Sequence, residues 1–232
     1  MESIVAIGDI HGMESWRDIV EKHYESKIVF MGDYLDPYGY VTRENQLMNL
    51  CSIISLKMNR PDDVVLLLGN HDLHYFCEDA AIGSRYDFQI KEEASNLFLD
   101  NLDLFQYAWQ IDDVVFTHAG ISDEWFRYDF RGDTSKSIAD QLNNAFADQQ
   151  GALFRVGMAR GGERGRVGGI FWADSSELDN PLHGFTQVVG HNRVTDVTEC
   201  FGVQGSRIIF CDCLRYGKYL HLEKRDGVWT SI

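Results

Sequence analysis

The stretch Val64-Val65-Leu66-Leu67-Leu68-Gly69-Asn70-His71-Asp72 sets five consecutive aliphatic residues in front of an amide, an imidazole and a carboxylate. An apolar run without period-2 alternation reads as a strand buried on both faces, the pattern of a parallel sheet flanked by helices. Open α/β sheets bind their ligands at the carboxyl ends of such strands. Polar side chains at that point are either a site or a costly burial.

The pattern recurs along the chain. Ile4–Ile7 breaks at Gly8-Asp9-Ile10-His11-Gly12, and Ile28–Met31 breaks at Gly32-Asp33-Tyr34-Leu35-Asp36. Val114–Thr117 breaks at His118-Ala119-Gly120, and Gln187–Val189 breaks at Gly190-His191. A single Asp after a glycine turn could be a helix N-cap, and a lone His a satisfied core imidazole. Five strand ends that all carry metal-capable side chains are a different matter.

The segments between these strands read as helices around Glu14–Tyr24 and Thr42–Asn59. Thr42 is the expected N-cap, and Leu47, Leu50, Ile53, Ile54 and Met58 the expected buried face. This β-α-β-α-β order implies a parallel sheet with right-handed crossovers. Helical periodicity returns over Asp87–Asp100 and Ser135–Asp148, and a hairpin is expected to turn at Asp112-Asp113. The C-terminal part reads as strands at Thr186–Val189, Arg207–Cys211, Tyr219–Glu223 and Val228–Ile232. The expected fold is α/β (α+β), a four-layer α-β-β-α sandwich of two packed mixed sheets, in one domain over residues 1–232.

Composition narrows the function classes. Of 232 residues, 44% are hydrophobic and 25% charged, ordinary for a globular chain. The net charge of −15, from 36 acidic and 21 basic residues, argues against a nucleic-acid partner. No apolar run approaches a membrane span, and Met1-Glu2-Ser3 carries no basic n-region, so neither a membrane partner nor a secretory leader is expected. The five cysteines lack zinc-knuckle spacing and read as reduced thiols of a cytoplasmic protein.

If the strands belong to adjoining sheets, Asp9, His11, Asp33, Asn70, His118 and His191 converge on one rim. Two carboxylates, three imidazoles and an amide oxygen suit two divalent transition metal ions, Mn²⁺ first, with Fe or Zn²⁺ as alternatives. Two ions roughly 3.5–4 Å apart need a bridging carboxylate, for which Asp33 is the candidate.

These blocks, from Gly8-Asp9-Ile10-His11-Gly12 through Gly190-His191, resemble in order and spacing those of the calcineurin-like metallophosphoesterases. The resemblance is greatest to the branch of phosphoprotein phosphatases and bacterial diadenosine tetraphosphatases. It implies that Asp9, His11 and Asp33 hold a first metal, and Asp33, Asn70, His118 and His191 a second. It makes His71 the general acid and Asp36 the carboxylate that orients it. The implied chemistry is in-line hydrolysis of a phosphorylated protein or small-molecule phosphate by a metal-bridging hydroxide, as in serine/threonine protein phosphatases. A dinucleoside polyphosphate pyrophosphohydrolase and a catalytically silent binding module are the alternatives. One departure stands out. The family's second block ends Asp-Arg-Gly, its Arg gripping phosphate, whereas Asp36 here precedes Pro37-Tyr38. Arg43, Arg85, Arg160, Arg164, Arg166 and Arg193 are the candidates to replace that Arg, and the glycine-rich Arg160–Arg166 loop is favoured over Arg43.

Overall fold

The computed structural model describes residues 2–232. Strands β1 (Ser3–Ile7), β2 (Lys27–Phe30), β3 (Val64–Leu67) and β4 (Phe105–Gln106) pair in parallel, in that order. The strands β5 (Ala108–Ile111), β6 (Val114–Thr117), β7 (Thr186–Arg193), β8 (Thr198–Phe201) and β9 (Arg207–Asp212) form a second sheet in the order β5-β6-β7-β9-β8. In it β6, β7 and β9 run parallel, while β5 and β8 are antiparallel edges. The chain then returns to the first sheet as β10 (Leu220–Arg225) and β11 (Val228–Ser231), which join antiparallel beside β1. Both sheets are therefore mixed.

The unbroken apolar runs have a direct physical reading. Alternate residues Ile4, Ala6, Val29, Met31, Val65 and Leu67 pack between the sheets, against Val114, Phe116, Val188 and Ile209. The intervening Val5, Ile7, Ile28, Phe30, Val64 and Leu66 face the helices. Each strand has no solvent face, so alternation has no reason to appear. Helices α1 (Trp16–Lys22) and α2 (Arg43–Asn59) cover the first sheet through Trp16, Ile19, Leu50, Ile53 and Ile54.

A short α3 (Asn70–Leu73) opens directly off β3, and α4 (Lys91–Leu99) follows a 3₁₀ turn at Phe88–Ile90. Thr42 caps α2, its hydroxyl accepting from the Asn45 amide at 3.2 Å. Met58 does not share the buried face; it is 55% exposed near the helix end, and Gln46 and Asn49 are buried instead. The helix expected over Ser135–Asp148 is two helices, α5 (Ile138–Asn143) and α6 (Ala147–Leu153). The break follows from Asn143, whose side chain accepts from the Tyr107 and Ala108 amides and donates to the Ala108 carbonyl, binding the end of α5 to β5. Strand β8 is mostly exposed and so left no apolar signature in the sequence. No helix among the described residues is long and apolar enough to cross a membrane.

Candidate metal centre

The carboxyl ends of β1, β2, β3 and β7 meet at one cavity of about 490 Å³, whose wall includes Asp9, His11, Asp33, Asn70, His71 and His191; His118, just after β6, is not in that wall but touches Asp33 and Asn70. The chain reaches it through sharp reversals. His11, Asp33, Asp36 and His191 all hold left-handed backbone conformations, with φ of 43°, 52°, 62° and 57°. Non-glycine residues rarely adopt this region, and such strain concentrates at functional sites. Two glycines make room for the carboxylates. A Cβ on Gly69 would overlap an Asp33 carboxylate oxygen, and one on Gly190 would overlap Asp9.

Of three sets of donor atoms that come together, two share a residue: Asp9, His11 and Asp33 in one, Asp33, His118 and His191 in the other, with Asp36, His71 and His74 as the third. Asp33 is the shared residue. The imidazoles are aimed by backbone carbonyls behind them. His11 Nδ1 lies 2.8 Å from the Leu35 carbonyl, so its Nε2 faces Asp33 at 3.7 Å. His118 Nδ1 donates to the Met31 carbonyl at 2.7 Å and its Nε2 lies 3.0 Å from Asn70 Oδ1 and 3.4 Å from Asp33. Carbonyl contacts of this kind orient metal-binding histidines.

The charge balance of these residues suits divalent cations. Burial, then Asp212 and Asp33, push the Asp9 carboxyl well above the usual carboxylate range, against the pull of His118. Burial works the same way on Asp33, but His118 and His71 outweigh it and hold Asp33 well below that range. Burial lowers His11 to about 4 and drives His191 far below the usual imidazole value. Burial opposes charge on His118 too, yet Asp33 and Asp9 raise it to about 10. A protonated His118 donates from both ring nitrogens, to the Met31 carbonyl and toward Asn70 and Asp33. The buried Nε2 of His191 has no partner among the described residues. An orphaned imidazole nitrogen, crowded carboxylates and glycines that admit them fit divalent metal ions, which the donor set can bind with mixed oxygen and nitrogen ligands.

Beside the two sets that share Asp33 lies the third group. Asp36 is fully buried and accepts from His71 Nδ1 at 2.8 Å and the Tyr75 hydroxyl at 2.5 Å, while His74 Nε2 lies 2.9 Å away, out of line for a hydrogen bond. The Gly83 amide donates to His74 Nδ1 at 3.1 Å, which leaves the neutral ring's proton on Nε2. His74 and Tyr75 do not stand out in the sequence. The available signal was helical spacing, because α3 brings His71 and His74 onto one side, three residues apart. Asp72 ties the loops together, accepting from the Asp33, Tyr34 and Gly69 amides at 2.7–2.8 Å.

Arg160 lines the cavity, its guanidinium held by Asp174 at 2.8 Å and by Asn192 Oδ1 at 2.9 Å. Arg193 lines it as well. Arg164 and Arg166 are exposed and are not part of that wall; Arg166 instead pairs with Asp129 at 3.3 Å. Arg43 pairs with Asp87 at 2.5 Å. Asn192 and Asp212, inconspicuous in the sequence, also stand at the wall.

In fold the chain is similar to the cold-active protein-tyrosine phosphatase of the psychrophile Shewanella sp., with a TM-score of 0.61 at 22% identity, over all of this chain and 80% of that one. It is similar also to a protein serine/threonine phosphatase from Saccharomyces cerevisiae, with a TM-score of 0.57 at 17% identity, over 95% of this chain and 72% of that one. The family model of the calcineurin-like phosphoesterases matches residues 2–203, a span that runs through all six ligand candidates from Asp9 to His191, and by that match the chain belongs to the calcineurin-like phosphoesterase family.

Proposed function

We propose that this protein is a metal-dependent phosphatase, hydrolysing phosphoric esters of the kind serine/threonine protein phosphatases take, at a dinuclear site. The observation that carries this reading is Asp33, which stands in two sets of donor atoms. Asp9 and His11 complete one ion's ligands, and Asn70, His118 and His191 the other's. Two such ions, Mn²⁺ in our reading, would offset phosphoryl charge and make water acidic enough to supply the nucleophile near neutral pH.

The chain's own residues do the rest. His71 Nδ1 is engaged by Asp36, which leaves Nε2 for the cavity. Burial disfavours a charged His71, but Asp33 and Asp36 more than compensate and raise its pKa. A ring that holds its proton while facing substrate is suited to protonate a departing alkoxide. Asp36 keeps the ring oriented; burial opposes its charge, but His71, the nearby His74 and the Tyr75 hydroxyl outweigh that and hold it below the usual carboxylate range. Arg160, held by Asp174 and Asn192, is the guanidinium we assign to the phosphoryl oxygens in place of the arginine that Pro37 displaces.

The test is turnover by Mn²⁺-loaded protein across phenyl phosphate, phosphoseryl, phosphothreonyl and phosphotyrosyl peptides, and diadenosine tetraphosphate. Ester hydrolysis abolished by Asp33→Asn supports the reading. Turnover confined to diadenosine tetraphosphate would replace it with the pyrophosphohydrolase alternative, and none on any substrate would overturn it.

A further inference from the structure

Ten of the fourteen arginines reach a carboxylate within 4 Å. Among the described residues Arg85, Arg164, Arg193 and Arg215 do not. In a chain with 36 acidic residues, an unpaired arginine is the exception. Three of these four gather on one side chain. The guanidinium carbons of Arg85, Arg193 and Arg215 stand 4.4, 4.3 and 5.1 Å from the centre of the Tyr38 ring. Only Arg85 has another hydrogen bond there, to the Pro37 carbonyl at 3.0 Å.

Cation–π contact stabilises each guanidinium by only about 0.5–1 kcal/mol at an exposed site. It does not neutralise three like charges brought to one ring. The Asp212 carboxylate interacts with Arg193 and Arg215, but it is one charge against them, and a bound anion would supply the balance. The place is next to the metal centre: the Tyr38 ring meets the His11 ring edge-on at 4.7 Å. Arg193 and Arg215 line a cavity of about 350 Å³ that shares His11, Tyr38, Arg193 and Asp212 with the main one.

We infer that Tyr38, Arg193 and Arg215 form a subsite for a second phosphoryl group carried on the leaving-group part of the substrate. The inference rests on the phosphoesterase reading above. A phosphoryl dianion suits the site better than a carboxylate, because it offers three acceptor oxygens to converging guanidinium forks. The substrate class is then an ester or anhydride with two phosphoryl groups, one cleaved at the metal centre and one held at Tyr38.

The experiment compares kcat/KM of Mn²⁺-loaded protein for phenyl phosphate, benzene-1,3-diyl bisphosphate and ADP, with wild type, Arg215→Gln and Arg215→Lys. Wild type should prefer at least one of the doubly phosphorylated compounds. Arg215→Gln should cut that preference, as the ratio to phenyl phosphate, by about tenfold, the loss of one charge-assisted contact. Arg215→Lys should restore part of it. A preference for ADP alone means a directly linked second phosphoryl, and one for the bisphosphate alone an ester-borne one; either supports the subsite. Calorimetric binding of the bisphosphate to the metal-free protein runs beside the kinetics, and its affinity should fall in Arg215→Gln. Phenyl phosphate turnover with no preference, and affinity untouched by Arg215→Gln, would overturn the subsite while leaving the phosphoesterase reading intact. Binding that depends on Arg215 without any turnover would do the reverse.

Discussion

Asp33 and Asp9 look alike in sequence, each following a glycine at a strand end, but only Asp33 belongs to two donor sets. Removing its charge should therefore cost both ions, and removing that of Asp9 only one. Asp33→Asn is expected to lose more metal and more turnover than Asp9→Asn; elemental analysis beside kcat checks this, and equal losses would dissolve the distinction. His71 follows Asn70 yet points elsewhere, because a helical turn sends consecutive side chains in different directions. His71→Asn should retain metal, and should lower kcat by ~10²–10⁴-fold on an alkyl phosphate but far less on p-nitrophenyl phosphate, whose leaving group needs no proton. Equal losses on both would make His71 a positioning residue. The sequence could show His71 and Asp36 because each sits in a conspicuous strand-end block. It could not show Asn192, whose neighbours Asp174-Ser175 and Arg160 arrive from 17 to 32 positions away.

The turns after β2 and β3 depend on each other through one side chain. Asp72, fully buried, is the only acceptor among the described residues for the amides of Asp33, Tyr34 and Gly69. Leaving three buried N–H groups without a partner costs about 1–3 kcal/mol each. Asp72→Ala is accordingly expected to destabilise the fold by ~3 kcal/mol or more and to weaken metal binding, measured by urea unfolding with and without metal. Thr42 makes a contrasting case. Its cap on α2 is exposed and remote from the ligands, so Thr42→Ala should cost ~1 kcal/mol and leave metal content unchanged. The strands and the Thr42 cap were legible because burial on two faces and cap chemistry are local patterns. The break between α5 and α6 was not, because it depends on Asn143 finding the backbone of β5 more than thirty residues earlier. Neither was β8, whose pairing with β9 needs a partner strand rather than an apolar face.

For the molecule as a whole, the proposed ligand set links metal loading and pH through His118. Its pKa in the metal-free fold, about 10, lies above the ordinary value of 6.5. The charged His118–Asp33 pair therefore stabilises the metal-free protein fully below about pH 6.5, and that contribution is lost as pH rises through about 10. A metal ion at Nε2 must displace the proton, so affinity should rise with pH across the same window. Calorimetry at pH 8 in two buffers of different ionisation enthalpy should show about one proton released per chain from this group on loading. Release that is unchanged in His118→Gln would remove His118 from the ligand set. Because metal binds the folded state, chelation should lower Tm by an amount that grows with the metal concentration it replaces.

The order of residues along the chain was enough to establish the parallel core and the ligand candidates. A strand buried on both faces must be apolar throughout, and a polar group at its end must have a partner, so both leave a mark within ten residues of chain. It was enough, too, to show that the usual phosphate-gripping arginine is absent, since Pro37 occupies its place. The company each residue keeps came from the folded chain instead. His74 and Tyr75 close on Asp36, Arg160 is held at the cavity wall while Arg164 and Arg166 stay outside it, and three arginines from separate segments collect on Tyr38. Those arrangements follow from crossovers and turns that bring distant segments together. A side chain's charge and reach can be read from its position in the chain, but the neighbour that neutralises or aims it comes from wherever the backbone returns.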